Sequence, residues 1–232
     1  MTKPKASLQI ANIRAVASIL RSRYRDFAHH NKRNPLDELL FIICSVKTQE
    51  SNYRATYSAL KGAFPTFGII AEAPAEYLAL SIKRGGLSAH KSKAMKNILD
   101  RLRDEFGRAT LAPLRKMDDA TCEAFLMSLP GVGLKVARCV MMYSLDRLTF
   151  PVDTHCWRIC HRLGWVKHRS RDHRPSPREM DCLQAKIPPE LRFSLHVNMV
   201  SLGREFCTAR NPRCQECPIG RFCRRVGVKR AT

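Results

Sequence analysis

The stretch "LPGVGLKVARCVMMYSL", residues 129–145, decides the fold. Gly131 and Gly133 bracket a tight turn, and Val136, Ala137, Val140 and Met141 then recur at helical spacing, so the turn opens an apolar helix. Such a turn exposes backbone N–H groups that lack an intrahelical acceptor. Gly131, Val132 and Gly133 are thereby candidates for gripping a phosphate oxygen without reading sequence. Lys135 stands in the first turn of the helix, where partial positive charge makes an ammonium mildly unfavourable. A nucleophilic lysine must shed its proton near neutral pH, so its ordinary pKa of about 10.4 has to fall by two or three units. The helix end contributes only ~0.3–1 kcal/mol, less than one pKa unit, and burial with neighbouring cations has to supply the rest. A solvated lysine that merely contacts phosphate fits the same position.

Working outward, the pattern is one of helices joined by short breaks. Ile10, Ile13, Val16, Ala17 and Leu20 mark a first amphipathic helix, and Leu36, Leu39, Leu40, Ile43 and Val46 open the next. Further helical patterns cover about 51–63, 75–82, 90–106, 119–128, 134–145, 154–163, 176–186 and 189–205. "AFPTFG", "KRGGLS" and "LPGVG" separate them, and no convincing alternating strand is present. The run "KHRSRDHRPSPR", 167–178, reads as a basic loop, either phosphate-contacting or simply solvated.

The chain has 232 residues, and its 41 Lys and Arg against 20 Asp and Glu leave a net charge of +21. That excess favours a polyanionic partner, of which nucleic acid is the commonest. A charge tuned only for solubility rarely needs so one-sided a bias. No apolar run approaches the ~20 residues of a membrane-spanning helix and the amino end has no secretory apolar region, which points to an intracellular protein.

Ten cysteines then need a reading in a reducing compartment. Cys44, Cys122, Cys139, Cys156, Cys160 and Cys182 lie among apolar neighbours and read as buried thiols. The tail "CTARNPRCQECPIGRFC" instead spaces Cys207, Cys214, Cys217 and Cys223 as C-x6-C-x2-C-x5-C, a metal-ligand pattern. Zinc and a cubane iron–sulfur cluster suit the spacing about equally. The tail holds too few apolar residues to fold unaided, so ligation would supply its folding energy and pin an arginine-rich loop.

Downstream of the hairpin, "FPVDTHCWRICHRLGW" puts Asp153 directly before another helical pattern. The helix 134–145 carries the chain about 18 Å away from Lys135, and the extended stretch 146–152 spans roughly 23 Å back. Lys135 and Asp153 are therefore expected to face one cleft. Asp153 is equally a favoured helix cap, and the two roles are compatible.

Taken together, "LPGVGLKVA", "VDTH" eighteen residues after its lysine and the C-x6-C-x2-C-x5-C tail resemble the helix-hairpin-helix DNA glycosylases of the endonuclease III group. The likeness runs from about Pro35 to Cys223. It implies an all-α, two-domain fold. A helical barrel with the hairpin would take 29–147, and an iron–sulfur domain would take 1–28 with 148–232. It also implies a [4Fe-4S] cluster on Cys207, Cys214, Cys217 and Cys223. Lys135 would be the nucleophile and Asp153 its partner in a glycosylase with abasic-site lyase activity on oxidised pyrimidines. The partner would be double-stranded DNA carrying damaged bases or abasic sites, bound by a monomer without a membrane. The setting would be cytoplasmic and nucleoid-associated in a bacterium or archaeon, and otherwise nuclear.

The departures from the family pattern concern the residues that fill the hole left by a flipped nucleotide. Relatives often read "LSAQ" or "LSQ", whereas this chain reads "CSVKTQE", with Lys47 at the glutamine's place and Gln49 two residues on. Leu87 in "GGLSAHKSKA" matches the loop that wedges the other strand. With His155 of "VDTH", these complete the expected DNA-contacting set. Two rival readings are a glycosylase for mismatched or deaminated bases, and a non-catalytic DNA-binding or redox-sensing iron–sulfur protein.

Overall fold

A computed structural model describes residues 3–167 and 174–228; half of the basic 167–178 loop, residues 168–173, lies outside them. Among the described residues there is no strand. The helices in chain order are α1 (Lys3–Tyr24), α2 (Pro35–Ser45), α3 (Glu50–Ala63), α4 (Phe67–Glu72), α5 (Ala75–Ser81), α6 (Ser88–Phe106), α7 (Asp119–Ser128) and α8 (Leu134–Ser144), followed by α9 (Thr154–Leu163), α10 (Pro177–Lys186) and α11 (Arg192–Glu205). No helix is long and apolar enough to cross a membrane among the described residues. The chain divides into two compact units, His30–Arg147 and Met1–His29 with Leu148–Thr232.

In the first unit α2 is the central rod. Asn34 caps it by accepting from the N–H groups of Leu36 and Asp37, Pro35 occupies its first turn, and nine of its eleven residues are buried. Helices α3, α6 and α8 pack on it. Its leucines and isoleucines join Met95, Ile98 and Leu102 of α6 and Val140 and Met141 of α8 in one core. Helix α4 is not expected from the sequence, in which "AFPTFG" reads as a break. The break ends at Thr66, whose Oγ1 accepts from Ile69 N–H and starts a six-residue helix.

The second unit packs α1 and α9 on α11, which is buried from Ser194 to Gly203 apart from the half-buried Ser201. Asn198 of α11, wholly buried, bonds through Nδ2 to Asp26 Oδ1 at 2.7 Å, and Ser194 Oγ donates to the same oxygen. His29 stays with this unit because its Nε2 donates to Val197 O at 2.8 Å while Arg204 donates to its Nδ1. The helix expected over 189–205 is split, with a 3₁₀ turn at Pro189–Leu191 before α11. Five of the six scattered cysteines are buried. Cys182 is the correction: it is exposed, because α10 turns Leu183 into the core and its neighbour outward.

Candidate nucleic-acid interface and cysteine centre

The hairpin of α7 and α8 is made by local chemistry. Val132 N–H donates to Leu129 O at 3.1 Å, with Pro130 at the second position of the turn and Gly131, at φ 77°, in the third. This is a type II turn, in which the third residue requires positive φ. Gly133 differs from the expectation for such a turn. Its φ is −97°, any residue adopts that, and a Cβ there would meet nothing within 4 Å. Its smallness therefore serves only whatever approaches from outside. Val132 is buried beneath the turn, while both glycines are exposed. Helix α8 then starts with neither a side-chain cap nor an acid in its first turn, leaving its amino end electropositive. An ion pair between Arg138 Nε and Glu123 Oε2, 2.7 Å long, locks α8 to α7 with the arginine buried.

Lys135 is half-buried in that first turn. Its charge acts on a group that the sequence reading passed over, Glu38 of α2, which is wholly buried. Burial pushes the Glu38 carboxyl up to about 7, against a 2.6 Å hydrogen bond from Lys32 N–H, another from Asn31, and the charge of Lys135. The signal for Glu38 in the sequence was a carboxylate inside the apolar run "PLDELLFIIC". Lys47, Gln49 and Leu87 lie on two exposed loops of the same unit, Lys47 and Leu87 both at φ 51°.

Asp153 belongs to the other unit. It caps α9, its Oδ1 accepting from Cys156 N–H at 2.7 Å, and it is half-buried. His155 lies against α11 at Gly203, where a Cβ would sit 2.8 Å from the His155 Cβ. Arg158 Nη2 lies 3.1 Å from His155 Nδ1 and donates to Gly203 O at 3.0 Å. Burial holds the imidazole below its usual pKa; Asp153 opposes this, and Arg158 and Arg204 reinforce it.

The four tail cysteines line one cavity with Arg162, Phe206 and Arg213. Arg162 Nη1 donates to Cys207 Sγ at 3.2 Å, Arg225 N–H to Cys223 Sγ at 3.4 Å, and Arg158 Nε to Cys207 O at 2.7 Å. The first two of these donors suit thiolate sulfur. Burial raises the Cys217 and Cys223 thiols, and the neighbouring cysteines raise them further, so positive charge between them favours ionising these two. Among the described residues no three His, Cys, Asp or Glu side chains converge closely enough to hold a single metal ion. A tetrahedral zinc would need thiolates about 3.8 Å apart. Four thiols around one cavity, with no single-ion site among the described residues, suit a multi-iron cluster better.

A glycine-turned helical hairpin, no strand among the described residues and a four-thiol cavity towards the carboxyl end define a helix-hairpin-helix iron–sulfur protein. The chain belongs to the HhH-GPD superfamily of base excision DNA repair proteins, whose sequence profile matches residues 40–182. The iron-sulfur binding domain of endonuclease III matches 207–223, and the cofactor is a [4Fe-4S] cluster. Endonuclease III of Thermotoga maritima is 30% identical over 84% of this chain and 85% of its own length. The DNA glycosylase/AP lyase ROS1 of Arabidopsis thaliana is 30% identical over 67% of the chain, which spans 12% of that protein. The chain spans 56% of another Arabidopsis thaliana relative that is 36% identical to it. Among solved structures, a non-covalent endonuclease III–DNA complex superposes with a TM-score of 0.78 at 26% identity, covering 92% of this chain and 94% of that one.

Proposed function

We propose that the protein is a bifunctional DNA glycosylase and abasic-site lyase acting on oxidised pyrimidines in duplex DNA, with Lys135 as nucleophile and Asp153 as its partner. The observation that carries the reading is Lys135 itself, half-buried at an electropositive helix end directly behind the exposed glycine turn. The damaged nucleotide is flipped out of the stack because its C1′ is unreachable inside the duplex. The neutral Lys135 amine forms a bond to C1′, and the glycosidic bond breaks with its electron pair leaving on the base. Asp153 stabilises the positive charge that develops on the sugar and takes up or returns protons. The sugar ring opens to a Schiff base; loss of a C2′ proton then expels the 3′ phosphate by β-elimination.

Gly131 and Gly133 offer backbone N–H groups to phosphate while Val132, its own N–H held by Leu129 O, fixes the turn that presents them, and His155 adds a ring N–H. Cys207, Cys214, Cys217 and Cys223 hold the cluster, which supplies folding energy to the tail and pins its arginines. Lys47 or Gln49 fills the space of the flipped nucleotide, and Leu87 wedges the opposite strand.

Borohydride trapping on an abasic-site duplex tests the assignment. Wild type should form a covalent complex, Lys135→Gln should form none while still binding DNA, and Asp153→Asn should slow base removal far more than it weakens binding. Trapping that persists in Lys135→Gln but disappears in Lys47→Gln would move the nucleophile to Lys47. A panel of single-lesion duplexes names the base removed.

A further inference from the structure

Lys91 of α6 is only 2% exposed. Its ammonium donates to Cys44 O and Gly85 O, both at 2.9 Å, and to Thr48 Oγ1 at 2.8 Å. All three donors are used, and none of these partners is a carboxylate. The site tolerates the charge because both carbonyls close helices: Cys44 lies in the last turn of α2 and Gly85 ends the 3₁₀ turn Lys83–Gly85. Carbonyls at helix carboxyl ends lack intrahelical donors and carry partial negative charge. Thr48 Oγ1 passes the link on, donating to Gly85 O at 2.6 Å.

The three bonds therefore clamp the loop after α2 to the loop before α6. Beside the clamp on each loop stands an exposed side chain in the left-handed region, Lys47 at φ 51° and Leu87 at φ 51° with 53% exposure. That conformation is strained for a residue with a Cβ and persists only where its surroundings over-determine it. The second loop is also seated from below. A Cβ at Gly85 would lie 2.9 Å from Thr56 Cγ2 of α3.

We propose that Lys91 is a positioning residue that locks residues 46–49 and 85–87 into one rigid, two-pronged wedge, so that both prongs enter the duplex together when a nucleotide is flipped out. This rests on the DNA-repair reading above. Unstacking a base is unfavourable, and prongs already held in their inserted conformation lose little further freedom on entry. Without the clamp, Lys47 and Leu87 relax to ordinary backbone conformations and each insertion has to order its own loop.

The test uses an abasic-site duplex with 2-aminopurine opposite the site, whose fluorescence rises when a wedge displaces it, and a terminal dye whose anisotropy reports binding. Wild type should bind and brighten the probe. Lys91→Met should lose most of the brightening at saturating protein while binding undamaged duplex within about twofold of wild type, because backbone phosphate contacts are untouched. Thr48→Val removes the relay but keeps the two carbonyl bonds, so it should lose part of the brightening; it carries the test if Lys91→Met does not fold. Full brightening in both variants overturns the clamp and leaves the repair function standing. Equal loss of binding to undamaged and abasic duplexes, with a lowered melting temperature, also overturns it, since Lys91 would then be merely structural. Wild type that binds without brightening sinks the wedge assignment, and wild type that does not bind DNA sinks the functional reading itself.

Discussion

Glu38 shows how one buried carboxyl ties stability to pH. Burial raises its folded-state pKa to about 7, above the ordinary carboxylate value, so the native state holds the proton longer than the unfolded chain. The sign follows directly. This contribution is most favourable below the unfolded pKa, declines as pH rises through 7, and is level above it. At about 1.4 kcal/mol per pKa unit the decline is at most roughly 3 kcal/mol. Thermal melts at pH 5 and pH 8 should therefore show wild type losing stability over that interval, and Glu38→Gln should flatten the difference even though it forfeits one accepted hydrogen bond. An unchanged pH difference in Glu38→Gln would assign the dependence to other groups. Gly131 and Gly133 separate at the same scale. Gly131→Ala should cost about 1–2 kcal/mol of stability because its φ is 77°. Gly133→Ala should leave the melting temperature within measurement and weaken DNA binding alike on every duplex, because its Cβ meets only what approaches from outside.

Helix α9 is the element on which the second unit turns. Its cap is Asp153, its second residue is His155, and its arginines hold the first cluster ligand through Cys207 O and Cys207 Sγ. Arg162 also binds Thr208 O at 2.8 Å and Ala209 O at 3.0 Å, so one buried guanidinium organises the start of the tail. Arg162→Ala should lower the iron and sulfide bound per chain, measured on purified protein, while Lys135-dependent trapping survives in the fraction that keeps its cluster. Cys214→Ser should lower soluble yield more than it changes the chemistry of the surviving protein, since the tail has little apolar core of its own. A fully loaded, soluble Cys214→Ser protein would remove that cysteine from the ligand set.

For the whole molecule, a net charge of +21 predicts steep salt dependence. Each phosphate neutralised adds about 0.9 to the negative slope of log K against log salt. Titrations across a series of salt concentrations should give a slope of several units on undamaged duplex. A slope near zero would mean that the charge serves solubility and not the backbone of DNA.

Helical periodicity, the glycine turn, the lysine behind it, the aspartate at the next helix start and the cysteine spacing were all legible in the residues, because each is set by local backbone geometry or by ligand chemistry over short separations. The short helix α4 escaped, since six residues show too little periodicity to outweigh the proline before them. Cys182 was misplaced because one residue on a helix is 100° of arc, and only packing says which face turns inward. Lys91, Arg158 and Arg162 could not be told from solvated charges in the sequence. Their roles arise from burial against partners far along the chain, such as Lys91 with Cys44, 47 residues away. Covalent order determines which helices form and where they end, whereas the cost of burying a charge, and the carbonyls that offset it, exist only once those helices have packed.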